Sequence, residues 1–290
     1  MIIHPRRSIM MKGKLYLCAT PIGNLEDITY RVVRTLGEVD LIAAEDTRNS
    51  IKLLNHFAIK TPMTSYHEHN KRAKGEVLIQ KLLAGESIAL ITDAGTPGIS
   101  DPGEELVLMC YDAGIEVTSL PGAVALITGL TISGLPTRRF AFEAFLPMDK
   151  KERRIIIEQL QTETRTIILY EAPHRLLKTL RELLESLGNR QVSVCRELTK
   201  RYETIVRLTL TEAINYYQEH PPKGECVIVL AGRSHIELSL ERQRTWQEIS
   251  VKEHMVVYLE KGLDKKEAMK AVAKDRGVSK REIYNEINID

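Results

Sequence analysis

Cysteine is scarce in this 290-residue chain: Cys18, Cys110, Cys195 and Cys226 stand far apart and form no C-x-x-C pair. That spacing excludes a paired-cysteine zinc knot. Three of the four lie inside apolar runs, so all read as reduced, buried, small apolar residues of a reducing compartment. No apolar run is long enough to cross a bilayer. The leader, MIIHPRRSIMMKGK, lacks the continuous apolar stretch and small-residue cleavage site of a secretory signal. Residues 1–13 are therefore expected to be a loose extension of a cytoplasmic chain with no membrane partner. A dominant charge is missing too, for the net charge is only +2. Residues 235–290 hold eleven basic and eleven acidic side chains, and the leader adds four basic ones, which leaves Leu15–Ser234 at −2. Global attraction to nucleic acid is thereby excluded, and any RNA contact has to use local basic patches. Aromatic residues are 5% of the chain, so no stacking platform for single-stranded RNA is evident.

What the chain does have is 43% apolar and 28% charged residues, enough for a substantial core and against disorder over its whole length. From Lys14, short apolar strands alternate with helical stretches. KLYLCAT, DLIAAED, TSYHE, SIALITD and EVTSLP read as strands. TYRVVRTLGEV, SIKLLNHFA, KGEVLIQKLLAG and EELVLMCYDAG read as helices, two of them followed by Gly85 and Gly114 at left-handed caps. Such alternation predicts a largely parallel sheet covered on both faces. After a Gly/Pro-rich boundary near Gly134–Arg139 come the strands FAFEAFLP, TRTIILYEA, QVSVCREL, ETIVRLTLT and GECVIVLAG. The third and fourth are too close for a helical crossover, so this pair is expected to be antiparallel and the sheet mixed. The tail reads as three short helices, with capping boxes at Asp264/Glu267 and Ser279/Glu282, like a helix-turn-helix module. The expected units are an α/β domain over 14–135, a second over 136–234 and a helical extension over 235–290.

In an open α/β sheet, ligands bind beyond the C-terminal strand ends. Three loops leave strand ends with unusual chemistry: Ala19–Ile28, Asp93–Gly103 and Pro121–Gly129. None is the G-x-G-x-x-G of an ordinary dinucleotide site. Taken singly, each is a tight strand-to-helix turn; three at the ends of one sheet point to a ligand site. The ordered set TPIGNLEDIT, LIAAEDTR, SYHEHN, ITDAGTPGISDPG, LPGAVA, YEAPHR, RELTK and KGECVIVLAG resembles the ribosomal small-subunit methyltransferase I family, within the tetrapyrrole-methylase-like methyltransferases. The resemblance spans Lys14 to Gly232. It implies a two-domain α/β enzyme with a helical C-terminal extension, usually a homodimer, that folds S-adenosylmethionine into the cleft between its domains. The implied substrate is a cytidine ribose in the decoding region of 16S rRNA, free or in the 30S subunit, methylated on its 2′-hydroxyl.

Carried over by position, the cofactor residues are Asp93, Ala94, Gly95, Thr96, Ile99 and Asp101. Pro121, Gly122, Ala123 and Val124 form a wall. Tyr170, Glu171, Ala172, Glu225, Cys226 and Val227 approach from the second domain, and Pro21 and Ile22 close the cleft. Alignment of oxygen, carbon and sulfur is the enzyme's main task, worth roughly 7–11 kcal/mol. A positioned base adds about 10²–10⁴-fold. Glu45, Asp46, His174 and Lys200 are the candidates, each with a plainer alternative: a helix cap, a surface histidine, a structural ion pair. His67 and His69 alternate like metal ligands but lack a third, so no metal is expected. The local basic patches are Lys150, Lys151, Arg153 and Arg154, with Arg138 and Arg139 upstream, and Lys71 and Arg72 elsewhere; any of these is otherwise a solvated face. Two rival functions stand beside this one. One is methylation of a tetrapyrrole or other small molecule on the same fold; the other is non-catalytic nucleic-acid binding through the tail.

Overall fold

The apolar runs of the first half are short, rich in β-propensity and bounded by turn residues, and each becomes a strand. In the computed structural model, which describes residues 12–287, the first half runs β1 (Lys14–Cys18), α1 (Tyr30–Glu38), β2 (Leu41–Ala44), α2 (Thr47–His56), β3 (Met63–Ser65), α3 (Lys71–Leu83), β4 (Ile88–Ile91), α4 (Gly103–Asp112), β5 (Glu116–Leu120) and α5 (Ala125–Ile132). Most of the expected leader lies outside the described residues. The five strands form one sheet in the order β3-β2-β4-β1-β5, and every pairing in it is parallel. Leu15, Leu17, Leu90 and Leu106 pack in a core on one face, while Ile42, Ala89, Ile91 and Leu36 pack on the other. Such double burial is what a parallel sheet requires. Because all five strands point the same way, the loops after β1, β2, β4 and β5 emerge at one end.

The second half runs β6 (Phe140–Phe145), α6 (Lys150–Gln159), β7 (Thr166–Glu171), α7 (Pro173–Leu187), β8 (Gln191–Arg196), β9 (Thr204–Thr209), α8 (Leu210–Glu219) and β10 (Cys226–Leu230). Its sheet is mixed, in the order β6-β7-β10-β8-β9: β6 and β7 are parallel, and the β7–β10, β10–β8 and β8–β9 pairs are antiparallel. One face of this sheet packs against α6, α7 and α8 through Ile157, Leu176, Leu180 and Ile214. The opposite face receives α5 from the first half, with Leu126 and Leu130 against Ile168, Val227 and Val229. Gly129 makes this approach possible, since a Cβ there would lie 2.9 Å from Val227 Cγ1. The two sheets are thus joined through one helix, and its N-terminal end opens onto the space between them.

The tail holds four helices where three are expected: α9 (His235–Gln247), α10 (Val251–Glu260), α11 (Lys265–Arg276) and α12 (Lys280–Ile287). Capping boxes form at Asp264/Glu267 and Ser279/Glu282, and a further one at Ser250/Glu253. The four cysteines are free and buried.

Candidate functional site

Three loops at the strand ends are tied to one another by their own backbones. Thr20 and Gly95 exchange both backbone hydrogen bonds, at 2.9 and 3.1 Å, and Thr20 Oγ1 donates to the Thr92 carbonyl at 3.2 Å. Thr96 Oγ1 donates to the Ala123 carbonyl at 3.1 Å, which ties the β4 loop to the β5 loop. Gly95 has φ +85°, and a Cβ there would stand 3.3 Å from both the Ala123 carbonyl and Ile22 Cγ2. Only glycine takes that conformation without strain. Asp101 works as a pin inside the β4 loop: its carboxylate accepts from the backbone N–H groups of Gly98, Ile99 and Gly103, the shortest at 2.7 Å.

Between these loops and the second sheet lies a cleft of about 1020 Å³, open mouth included. From the expected cofactor set the cleft is lined by Ile22, Asp93, Ala94, Gly95, Thr96, Ile99, Asp101, Val124, Tyr170, Glu225, Cys226 and Val227. Six do not line it. Pro21 faces a second, adjoining pocket. Pro121, Gly122 and Ala123 are outside the lining, though the Ala123 carbonyl accepts from Thr96 Oγ1, which lines it. Glu171 and Ala172 are the clearer departures. Side chains alternate along a strand, so Ile168 and Tyr170 face the cleft side of β7 and Ile167, Leu169 and Glu171 face the other. There Glu171 is 1% exposed and bonded to Thr179 Oγ1, Arg175 and the Ala172 N–H. It is a buried structural carboxylate.

Several lining residues lie outside the expected set. Phe145 stands half-open at the cleft, its ring 5.5 Å from that of Tyr170. Tyr170 Oη in turn accepts from the Leu126 N–H at 3.0 Å, which locks β7 to the start of α5. Glu197 and Leu198 enter on a loop whose backbone is left-handed at Glu197 (φ 52°) and Thr199 (φ 65°). Non-glycine residues persist there only when the surroundings hold them; here Thr199 N–H donates to Glu203 at 2.7 Å. A bulky aromatic before a Pro-containing turn is legible in FAFEAFLP; the strained loop leaves no signal in RELTK.

The cleft is acidic at one end. Asp93 is held above the ordinary carboxylate range by partial burial first, then by the negative charges of Glu45, Asp46 and Glu225. Among the expected catalytic residues, Glu45 sits behind the wall, where its Oε2 accepts from Thr92 Oγ1 at 2.5 Å and Asp93 N–H at 3.4 Å. Asp46 caps α2 through the Arg48 N–H and pairs with the Arg48 guanidinium at 2.9 Å, which pulls its carboxyl below the usual range. His174 is exposed in the first turn of α7 and does not line the cleft. Lys200 does line it and pairs with Glu197 Oε1 at 2.9 Å.

The basic patches change more. Arg153 is no surface cation: it is 4% exposed, donates to Glu182 at 2.6 Å and to Thr179 Oγ1 at 2.7 Å, and lies 3.8 Å from Glu171. Lys150 and Lys151 are exposed, as are Arg138 and Arg139. Arg154 is exposed but pairs with Glu158. Lys71 is held by Glu68 and Glu105, and Arg72 lies 3.8 Å from Glu105. The His67 and His69 rings are 6.0 Å apart, and among the described residues no group of three such ligands gathers.

Residues 14–214 match the family model of Tetrapyrrole (Corrin/Porphyrin) Methylases. The chain is 53% identical over 275 residues to a ribosomal RNA small subunit methyltransferase I of Halalkalibacterium halodurans, covering 94% of each. It is 46% identical to that of Bacillus subtilis over 289 residues, 98% of this chain and 99% of the relative. The chain belongs to the tetrapyrrole methylase family, in its ribosomal RNA small subunit methyltransferase I branch. Solved structures share its fold at low identity. Uroporphyrin-III-C-methyltransferase from Thermus thermophilus superposes with TM-score 0.55 at 21% identity, over 75% of this chain and 94% of that one. Diphthine synthase superposes with TM-score 0.59 at 13% identity, over 77% and 92%. A parallel first sheet and a mixed second one are thus the shared frame.

Proposed function

We propose that this chain is an S-adenosylmethionine-dependent methyltransferase that modifies a cytidine 2′-hydroxyl in the decoding region of 16S rRNA, acting in the cytoplasm as a homodimer. The reading takes 14–135, 136–234 and 235–290 as its three units. Identity of about half over nearly the whole length to relatives named for small-subunit rRNA supports the substrate class. The uroporphyrin enzyme of Thermus thermophilus, which shares the fold, has also been solved with S-adenosyl homocysteine.

The cleft suits such a cofactor on its own chemistry. Ile22, Ile99, Val124 and Val227 offer an apolar bed for a purine, and Asp93 and Glu225 offer negative charge to a cationic group. Gly95 lets the backbone come close. When bound, S-adenosylmethionine supplies an electrophilic methyl carbon on a positively charged sulfur. The chain's residues then have two tasks. The tied loops at Thr20, Gly95 and Ala123 hold the cleft wall rigid, so that a hydroxyl can be aligned without reorganisation. Asp93, exposed on the cleft's open side and raised in proton affinity by burial and its acidic neighbours, is placed to accept the proton that the hydroxyl gives up. Glu45 orients Asp93 from behind through the Asp93 N–H and Thr92. Asp46, which caps a helix, and His174, outside the cleft, are less suited to that role.

The observation that carries the reading is the identity of about half, over nearly the full length of both chains, to the rRNA enzymes. The direct test offers purified 30S particles and a porphyrinogen to the enzyme with labelled cofactor. Methyl transfer to RNA alone is expected; transfer to the porphyrinogen alone would establish the small-molecule alternative.

A further inference from the structure

Beside the cleft lies a second pocket of about 770 Å³, open mouth included, that shares Thr92 and Asp93 with it. Its far side is the outer face of α2, which contributes Asn49, Lys52 and His56, and its rim is Leu25 on the β1 loop. The spacing is that of one helix face: Arg48, Lys52 and His56 recur every four residues. Of these, Arg48 pairs with Asp46 at 2.9 Å. Lys52 and His56 are exposed, and among the described residues neither forms an ion pair. Lys52 thus brings to the pocket a positive charge able to meet an anionic group. The polar side chains of Asn49, Ser50 and Lys52 border the pocket beside the apolar Leu25 and Leu53.

We infer that this second pocket receives the target nucleotide of the RNA, with its backbone phosphate against Lys52 and His56 and its ribose lying over the shared Thr92–Asp93 wall. The inference rests on the RNA-methylation reading and adds to it the route by which substrate meets cofactor. The 2′-hydroxyl then has to reach the methyl carbon past the edge of this wall, at Asp93, which borders both pockets. Nucleotide-binding specificity then belongs to α2, not to α6, and the basic start of α6 contacts RNA further from the reacting ribose.

The test uses the full chain, 30S particles lacking the modification, and the variants Lys52→Ala/His56→Ala and Asn49→Trp. The first removes charge from an exposed face; the second fills the pocket without changing charge. Calorimetry with S-adenosylmethionine is expected to give wild-type affinity for both, since none of these residues lines the cofactor cleft; this also reports that each is folded. For the charge variant, kcat/KM on 30S should fall about tenfold, mainly through KM. The slope of log affinity against log salt should flatten by roughly 0.7–0.9 for each phosphate left without its cation. Asn49→Trp should lower kcat/KM with the salt slope unchanged. Wild-type kcat/KM and slope in K52A/H56A, with an active wild-type control, would overturn the inference alone. A wild-type enzyme that leaves 30S RNA unmethylated would overturn the underlying reading and this inference with it.

Discussion

Gly95 and Arg153 show how differently single residues are written into the sequence. Gly95 stands in a loop of glycines and prolines, and its importance is visible there, though its reason is not. The structure supplies it: a left-handed backbone with the Ala123 carbonyl and Ile22 already at contact distance. Gly95→Val is therefore expected to lose S-adenosylmethionine binding, at least tenfold by calorimetry, with native circular dichroism. The strain at that residue, about 1–2 kcal/mol, distorts the loop without unfolding the sheet. Native affinity in the folded variant would contradict this. Arg153 stands in a run of basic residues, but helical period places it with Ile157 and Leu160 on the inward face. Arg153→Ala leaves Glu171 and Glu182 short of their buried partner. A loss of about 3–5 kcal/mol in denaturant unfolding is expected, with no change in the salt dependence of RNA binding. The period-two logic of a strand likewise assigns Glu171 to the far face of β7 from the sequence alone. The pairing of Lys71 with Glu105, by contrast, joins α3 to α4 across the fold and no local pattern announces it.

At the scale of elements, the ten strands of the described residues are legible, most of them as short apolar runs between turn residues. The third is shorter than its pattern: β3 stops at Ser65, and Tyr66 beyond it is buried and donates through its hydroxyl to the Pro102 carbonyl. Helix α9 is not legible because HIELSLERQRTWQ has no apolar stripe; its partner is α11 rather than a sheet. The single tryptophan, Trp246, lies on it and stacks on His254 at 3.7 Å. His254 is fully buried, and burial, then Arg276, hold its proton affinity below the ordinary histidine value, while Asp275 acts the other way. The unfolded tail therefore binds a proton that the folded tail refuses. Stability is full above the unfolded histidine value of about 6.5 and is lost as the pH falls below it, until His254 itself charges. Trp246 fluorescence should report a falling Tm for the tail between about pH 7 and 5. A pH-independent Tm in that window would count against the buried neutral histidine. For α6, the surviving cations are Lys150, Lys151 and Arg154. Their triple alanine variant should flatten the salt slope of 30S binding and leave cofactor affinity alone; an unchanged slope would show this helix start to be only solvated.

For the whole molecule, the sequence motifs name the loops that meet at the cleft because those loops are local. The second wall is only half legible, since Phe145, Glu197 and Leu198 reach the cleft through the mixed sheet and a strained turn. The homodimer belongs to the same scale: sedimentation at micromolar concentration should give twice the chain mass of 32.9 kDa, and a species of single-chain mass would refute it. Acidity at the cleft has its own signature. With Asp93 as proton acceptor, kcat/KM should rise with pH through a value above the ordinary carboxylate range, and Asp93→Asn should abolish the rise while keeping cofactor affinity within a few-fold. The most direct measurement is a map of ribose methylation across 16S rRNA after 30S particles are incubated with the enzyme and S-adenosylmethionine. One new 2′-O-methylcytidine in the decoding region is the predicted result. RNA left without any new ribose methyl group, or a methyl group placed on a base instead, would contradict the account.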